Sequence, residues 1–589
     1  MSRLALKQWI TDRLSRFSWN QEQLAFVFSL LLGGLCGFTA ILFLSSIHAV
    51  DWMGDYLRYR LARTGYPWLG ALVPALGGLL AGLIMTYVAR GVSSSGVPDV
   101  KVALHFRQGI ISLKSVIGKF LVSAISLGSG ISLGREGPTL QISAGIGSFL
   151  SRLFRLNRFY TKNLLGVGAA AGIAAAFNAP IAAVTYILEE LMKNFHPRIL
   201  GPTFLGAVIA AMIERIAMSG GSLVWNYGDI RISPLESVYF AVVGLLAAFL
   251  APLLNRFFLG CIAVFHRIPG PLYAHTFLGG LSTGVIGLYF PQVLGMGYGG
   301  INAAVQGVLD GGDALQLMGA KALASSLAYG SGVPGGVFAP VLFIGSMMGS
   351  AIGSLVKWVA PAGAILSTGP YALVGMGALF AGVFQAPITA IFFIFEITGS
   401  YPLILPLMLA CAISTVISRS LQEFGFYDLV LDRRGIRIPT QHDLSMLSEM
   451  TVGDTMSRST VCFNWAMTVQ ESLGLVSSTR WRFFPVLDEE GRLEGMISEA
   501  ELRKAMSRKE GSRLLVHYLD RQNLQMVESD QSLAVVMEKL ALFRYPALPV
   551  VNSEEERQVI GIITTRDILR AYTRSRSSVH SSVSRRTAL

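Results

Sequence analysis

The chain has 589 residues, of which 52% are aliphatic, aromatic, Met or Cys and only 14% are charged, against about a quarter charged in an ordinary soluble domain. With 63 glycines and a mean hydropathy of +0.53, this composition excludes a purely soluble enzyme, because membrane helices tolerate glycine at close contacts far better than soluble ones do. The formal charge of +12 reads as Lys and Arg gathered in cytoplasmic loops, not as a nucleic-acid footprint.

In chain order, residues 1–22 carry Arg3, Lys7, Arg13 and Arg16 without a small-residue cleavage site. They read as a cytoplasmic amphipathic helix and not as a signal peptide. From Gln23 to Val50 there is no Lys, Arg, Asp or Glu, which is long enough to cross a bilayer needing about 20 apolar residues. Apolar stretches continue to Ser418, and between Lys321 and Arg419 only Lys357 and Glu396 are charged. Gly330, Gly332, Pro334, Gly335, Gly336 and Pro340 interrupt the pattern there, so broken helices are expected, and these survive at membrane depth only beside protein or a polar cavity. A membrane domain therefore spans 23–435. Charged residues become frequent from about Asp443, and strand-length runs appear at 483–487 (FFPVL) and 547–551 (ALPVV). That composition predicts a soluble α/β module over 443–575, followed by a flexible tail, 576–589. Cys36, Cys261, Cys411 and Cys462 lie far apart without ligand spacing, which indicates neither a metal site nor a disulfide framework.

The membrane part repeats itself. Gly128-Ser129-Gly130 recurs as Gly330-Ser331-Gly332, Gly134 and Pro138 recur as Gly336 and Pro340, and Gly147-Ser148 recurs as Gly349-Ser350, all offset by 202. FNAPIAA from Phe177 recurs as FQAPITA from Phe384, and Glu189 recurs as Glu396, offset by 207. Subtraction does not distinguish parallel from inverted halves, although cytoplasmic termini require an even number of crossings. Repeat interfaces are where transporters place their substrate.

Three Gly/Pro breaks open apolar segments: SSGVP (Ser94 to Pro98), GREGP (Gly134 to Pro138) and GVFAP (Gly336 to Pro340). A helix start offers unpaired N–H groups and a partial positive charge, so converging starts hold an anion without a full cation. Glu136 costs about 3 kcal/mol in an apolar segment unless paired or hydrated. Arg135 is one candidate partner. The other reading is a carboxylate that competes with the anion when ionised and vacates the site when protonated. Glu189 has a repeat counterpart and reads as structural, closing a neighbouring helix end. Glu190 falls on Ile397, so the repeat does not require it; the bland reading is a solvated helix end near Lys193.

These motifs, in this order, resemble the CLC family of chloride channels and chloride/proton antiporters, over about residues 20 to 435. The resemblance implies an α-helical polytopic membrane protein of two inverted repeats with broken helices, assembled as a homodimer with one anion pathway per subunit. It puts the chloride contacts on Ser95, Gly137, Val337, Phe338 and on Tyr427 of GFYDLVL, and the gating glutamate on Glu136. Ser94 and Val97 depart from the family's first motif, GSGIP. Members that prefer nitrate carry proline at the serine, so Ser95 implies chloride. Glu190 stands where antiporters carry the glutamate that exchanges protons with the cytoplasm and where channels carry an apolar residue. Lys119 matches a lysine that favours anions, and as a lone Lys near a helix end it equally suits snorkelling to the interface.

FPVLDEEGRLEGMISEAELRKAM from Phe484 parallels LPVVNSEEERQVIGIITTRDILRAY from Leu548, which resembles a CBS pair. Such pairs that bind adenine nucleotides use a Ser/Thr and an Asp spaced as Thr564 and Asp567; the first copy has Ser498 and Glu501. The alternative is a pair that only stabilises a dimer. The resulting expectation is an electrogenic chloride/proton antiporter of a cell inner or plasma membrane, multi-pass, with both termini cytoplasmic. It needs no metal or resident cofactor, binds no nucleic acid and is not an enzyme. Its rival is a passive channel of the same fold. A metal transporter is disfavoured by the lack of clustered intramembrane carboxylates or His.

Overall fold

The computed structural model describes residues 21–63, 66–92, 95–154, 156–193, 197–217, 236–359, 367–436, 438, 447–476, 482–508, 510–519, 524–543, 547–553, 555–568 and 570–571. The helix expected over residues 1–22 (all but its last two residues), Ser94 and the tail 576–589 lie outside them. The chain divides into two compact units, 1–438 and 439–589.

The membrane unit is helical. It begins with α1 (Gln21–Ala62), α2 (Leu72–Tyr87) and the short α3 (Val97–His105). Then come α4 (Leu113–Gly128), α5 (Glu136–Leu153), α6 (Arg158–Phe177) and α7 (Pro180–Tyr186), which runs into a π turn over Ile187–Met192. α8 (Pro197–Ala217), α9 (Glu236–Arg267), α10 (Leu272–Tyr289) and α11 (Tyr298–Val305) lead to the second set: α12 (Gly311–Gly330), α13 (Phe338–Val359), α14 (Gly369–Phe384) and α15 (Pro387–Thr398). α16 (Ile404–Leu421) and α17 (Phe426–Arg433) close the unit.

Among the described residues six helical segments are long and apolar enough to cross a bilayer, including Phe26–Leu61, Glu236–Arg267 and Phe338–Val359. Helix α6, outside that set, buries nearly its whole length, so protein surrounds it, whereas α4 exposes Ile117 and Leu121. Small residues allow this packing: a Cβ on Gly33 of α1 would stand 2.7 Å from the Gly206 carbonyl oxygen of α8. Phe38, Leu42, Leu253, Val416 and Leu405 face outward on α1, α9 and α16, as lipid-facing side chains do.

The repeat is a repeat of structure. α4 to α7 correspond to α12 to α15, and the backbone specials recur in step. Gly130 and Gly332 both take positive φ (94° and 89°) after their helices, and Asn178 and Gln385 both take left-handed φ (54° and 57°) after α6 and α14. The five extra residues that change the offset from 202 to 207 fall between Ser350 and Phe384, the stretch containing the α13–α14 connection. Equivalent residues also meet. The Gly134 N–H donates to the Gly336 oxygen and the Gly336 N–H to the Gly134 oxygen, both at 2.7 Å, as an antiparallel bridge. A local two-fold axis therefore passes between them, the symmetry that two inverted halves require.

The second unit holds two three-stranded sheets of one design. In the first, β1 (Phe463–Asn464) pairs parallel with β2 (Phe483–Leu487), which pairs antiparallel with β3 (Leu493–Ser498). Its helices are α18 (Val469–Val476) and α19 (Glu499–Ser507). The second has β4 (Val527–Glu528), β5 (Ala547–Val551), β6 (Val559–Thr564) and α20 (Leu533–Phe543). Register shifts fall at matching places, Val486/Leu487 and Val550/Val551. The Leu493 N–H donates to the Arg557 oxygen at 2.9 Å, which joins the copies edge to edge.

Candidate functional site

All three Gly/Pro breaks start helices, as Pro in a first turn favours, and the starts of α3, α5 and α13 converge. A Cβ on Gly96, just before α3, would lie 2.0 Å from the Gly137 oxygen, and one on Gly137 would lie 3.4 Å from the Gly336 Cα. At Gly96 only glycine permits this approach, while at Gly137 a Cβ would make an ordinary contact. The first amides of α5 and α13 have no carbonyl one turn back, so they form a donor cluster inside the protein. Ser95 is fully buried at the start of α3, and its hydroxyl faces that of Tyr329.

Val337 and Phe338 lead into α13 and are buried. The Phe338 ring packs on Phe380, Phe177 and Phe393 with centroids 4.6, 4.8 and 5.3 Å away, and on Tyr186 at 6.0 Å. Tyr427, at the start of α17, stacks on Phe384 at 5.2 Å. Its hydroxyl is buried, as is that of Tyr186. The two phenols neighbour each other. Two buried O–H donors beside a cluster of helix starts form a cradle chemically suited to a small anion.

Glu136 is the first residue of α5 and is buried. Its Oε1 accepts from the Tyr298 hydroxyl at 3.2 Å. Its Oε2 lies against the glycine bridge, 2.0 Å from where a Gly134 Cβ would stand, with the N–H groups of Glu136 and Ala339 facing the carboxylate. The carboxylate thus sits at the meeting of α5 and α13. Arg135 donates to the Ala176 oxygen at 2.5 Å; the hydrogen bond to the carboxylate comes from Tyr298. Tyr298 also lines a cavity of about 620 Å³ with His48, Asp51, Asp55 and Arg58. Buried Lys321 donates to the oxygens of Val293 and Gly295 at 2.9 and 2.8 Å, which holds the segment ahead of Tyr298.

Glu190 lies in the π turn after α7, a distortion frequent at functional sites. It is 3% exposed, so the solvated-end reading is set aside. Lys101 of α3, itself 0% exposed, donates to Glu190 Oε1 at 2.7 Å and to Asp428 Oδ1 at 2.6 Å. Lys193 donates to Asp428 Oδ2 at 2.7 Å and not to Glu190. Glu189 points the other way and accepts from the Ile388 and Thr389 N–H groups at 3.2 and 2.9 Å. It closes the start of α15, the structural role its repeat counterpart implied. Lys119 is fully buried and does not snorkel; it is the repeat equivalent of Lys321.

Ser95, Gly137, Val337, Phe338, Tyr427 and Glu136 are therefore brought together, with Glu190 one helical turn beyond Tyr186. Sequence reasoning missed Tyr186, Tyr298, Lys101 and Asp428. Lys321 alone carried a signal there, its 202 offset from Lys119.

In the second unit Thr564 and Asp567 meet each other. The Thr564 hydroxyl and N–H donate to Asp567 Oδ2 at 2.6 and 3.0 Å, and the Asp567 N–H donates back to the hydroxyl at 3.2 Å. Ser498 and Glu501 do the same ahead of α19. Both pairs are capping boxes.

The sequence matches the voltage-gated chloride channel family over residues 77–419 and the CBS domain over 452–508 and 517–574. The chain belongs to the voltage-gated chloride channel, or CLC, family. Among its relatives, the H(+)/Cl(-) exchange transporter ClcA of Cronobacter sakazakii is 32% identical over 416 residues, covering 68% of this chain and 88% of that one. The protein of the same name from Klebsiella pneumoniae strain 342 is 30% identical and covered to 87%. A crystal structure of a slow cyanobacterial Cl-/H+ antiporter superposes with a TM-score of 0.65 at 28% identity, over 71% of this chain and 99% of that one. A eukaryotic CLC transporter at 20% identity covers 92% of this chain and 97% of its own with a TM-score of 0.70, which extends the likeness of fold to both units. This CLC protein is thus a membrane transporter with a CBS pair.

Proposed function

We propose that this CLC protein exchanges chloride for protons across a cell inner or plasma membrane, as a homodimer with cytoplasmic termini. The observation that carries the reading is the Glu136 carboxylate at the meeting of α5 and α13, facing the N–H groups that suit an anion. Carboxylate and chloride then compete for one set of donors. Protonation removes the charge, the side chain leaves, and chloride enters a site formed by Ser95, the amides around Gly137, Val337 and Phe338, and the Tyr427 hydroxyl. Release stays easy because no full cation touches the anion.

Glu190 supplies the second proton position. A passive channel has no use for a carboxylate buried there at the expense of a buried lysine, so Glu190 with Lys101 favours antiport. The relatives named as exchange transporters support the same reading. The nucleotide role of the CBS pair rests on Thr564 and Asp567, with an adenine nucleotide shifting transport modestly. The test of the exchange reading is Glu136→Gln in liposomes: chloride flux persists and coupled proton movement stops.

A further inference from the structure

Lys101, Glu190, Asp428 and Lys193 form a charged row whose burial falls along its length. Their side chains are 0%, 4%, 12% and 25% exposed in that order. With both carboxylates ionised the row is neutral. A proton on Glu190 leaves two lysines sharing the Asp428 carboxylate, and the more buried of them, Lys101, lies in the region of lower dielectric, where a charge reaches farther. Lys101 follows Ser95 by six residues on α3, and Asp428 directly follows Tyr427 on α17. The buried cation and one of its two anchors, Asp428, are thus carried by the elements that carry Ser95 and Tyr427. The other groups around Glu190 are Tyr186 of α7, Tyr427 of α17, His105 of α3, whose Nε2 lies 3.1 Å from the Leu191 oxygen, and Lys162 of α6 near His105.

We propose that Lys101 is a positioning residue that transmits the charge state of Glu190 to the anion site: a proton on Glu190 uncovers the Lys101 charge and tightens chloride binding, while Asp428 keeps that charge in place. Proton and anion are then coupled from the Glu190 side as well as through Glu136. The inference rests on reading Glu190 as a proton site.

The test is a chloride-binding cycle by calorimetry on the purified full-length protein, titrated with sodium chloride. Glu190→Gln imitates the protonated residue and is expected to tighten chloride binding at least about fivefold. The same substitution is then made in a Lys101→Met/Asp428→Asn background, which keeps Glu190 and Lys193 as the charges of the row. There it also adds one net positive charge, but on partly exposed Lys193, and the expected change is under about twofold. Equal tightening in both backgrounds, or none in the native one, overturns the proposal. Should that background not fold, Glu190→Gln is compared with Lys101→Met/Glu190→Gln, in which Asp428 keeps Lys193. Loss of the tightening supports the proposal and its persistence refutes it. Chloride binding needs no proton flux, so a failure of the exchange reading in liposomes is distinguishable from a failure here.

Discussion

Glu189 and Glu396 each close the helix start of the other half. Glu189 accepts from the Ile388 and Thr389 N–H groups of α15, and Glu396 accepts from the Ile181 and Ala182 N–H groups of α7 at 2.9 and 2.7 Å. All three residues are displaced by 207, so the exchange is symmetric. Removing either carboxylate leaves two amides at a helix start without an acceptor, at a cost of about 1–3 kcal/mol. Glu189→Ala and Glu396→Ala are expected to lower the thermal transition of the purified protein by similar amounts, with Glu189→Gln losing less. A loss at one position alone would contradict the reciprocal cap.

Tyr298 is the side-chain donor to Glu136. Without its hydroxyl, in Tyr298→Phe, the carboxylate holds its place less firmly, and chloride competes better for the shared amides. Chloride flux should then half-saturate at a concentration lower by about tenfold or somewhat more, since a hydrogen bond to a charged group contributes about 1.5 kcal/mol or somewhat more. An unchanged chloride titration would show that Tyr298 does not hold the gate.

Ser95 supplies a compact hydroxyl at the start of α3. Ser95→Pro removes it, and selectivity measured by anion exchange in liposomes should move from chloride toward nitrate. Tyr427→Ala should weaken coupling through the same loss of a donor, because the Tyr427 ring, stacked on Phe384, holds its buried hydroxyl beside that of Tyr186. Unaltered chloride/nitrate ratios would remove Ser95 from the site.

The helix starts at the three breaks were legible in the sequence because Gly and Pro mark such starts, whereas the candidate anion contacts came from the resemblance to the family. Glu190 was separable from Glu189 by the repeat offset. Lys101 and Asp428 were not legible: they are 327 residues apart, and no local period signals their meeting. Tyr298 escaped for the same reason, its bond to Glu136 spanning 162 residues. The capping boxes of the second unit have the other character. Thr564 and Asp567 were read as ligand groups, and their spacing also suits the helix cap that the structure shows.

That cap shapes the nucleotide test. Asp567→Ala removes both a cap, at about 1 kcal/mol, and a candidate ribose contact. Asp567→Asn retains one acceptor, so a nucleotide effect on exchange that vanishes in both variants while the thermal transition drops only in the first would assign the carboxylate to the ligand. No effect of ATP, ADP or AMP on the native protein would leave the capping role alone.

The most direct measurement of the central claim is proton uptake by liposomes containing the native protein, with a chloride gradient as the only driving force. The exchange reading requires protons to move against their own gradient, with this movement lost in Glu190→Gln while chloride flux remains. Chloride flux without any proton uptake in the native protein would contradict it.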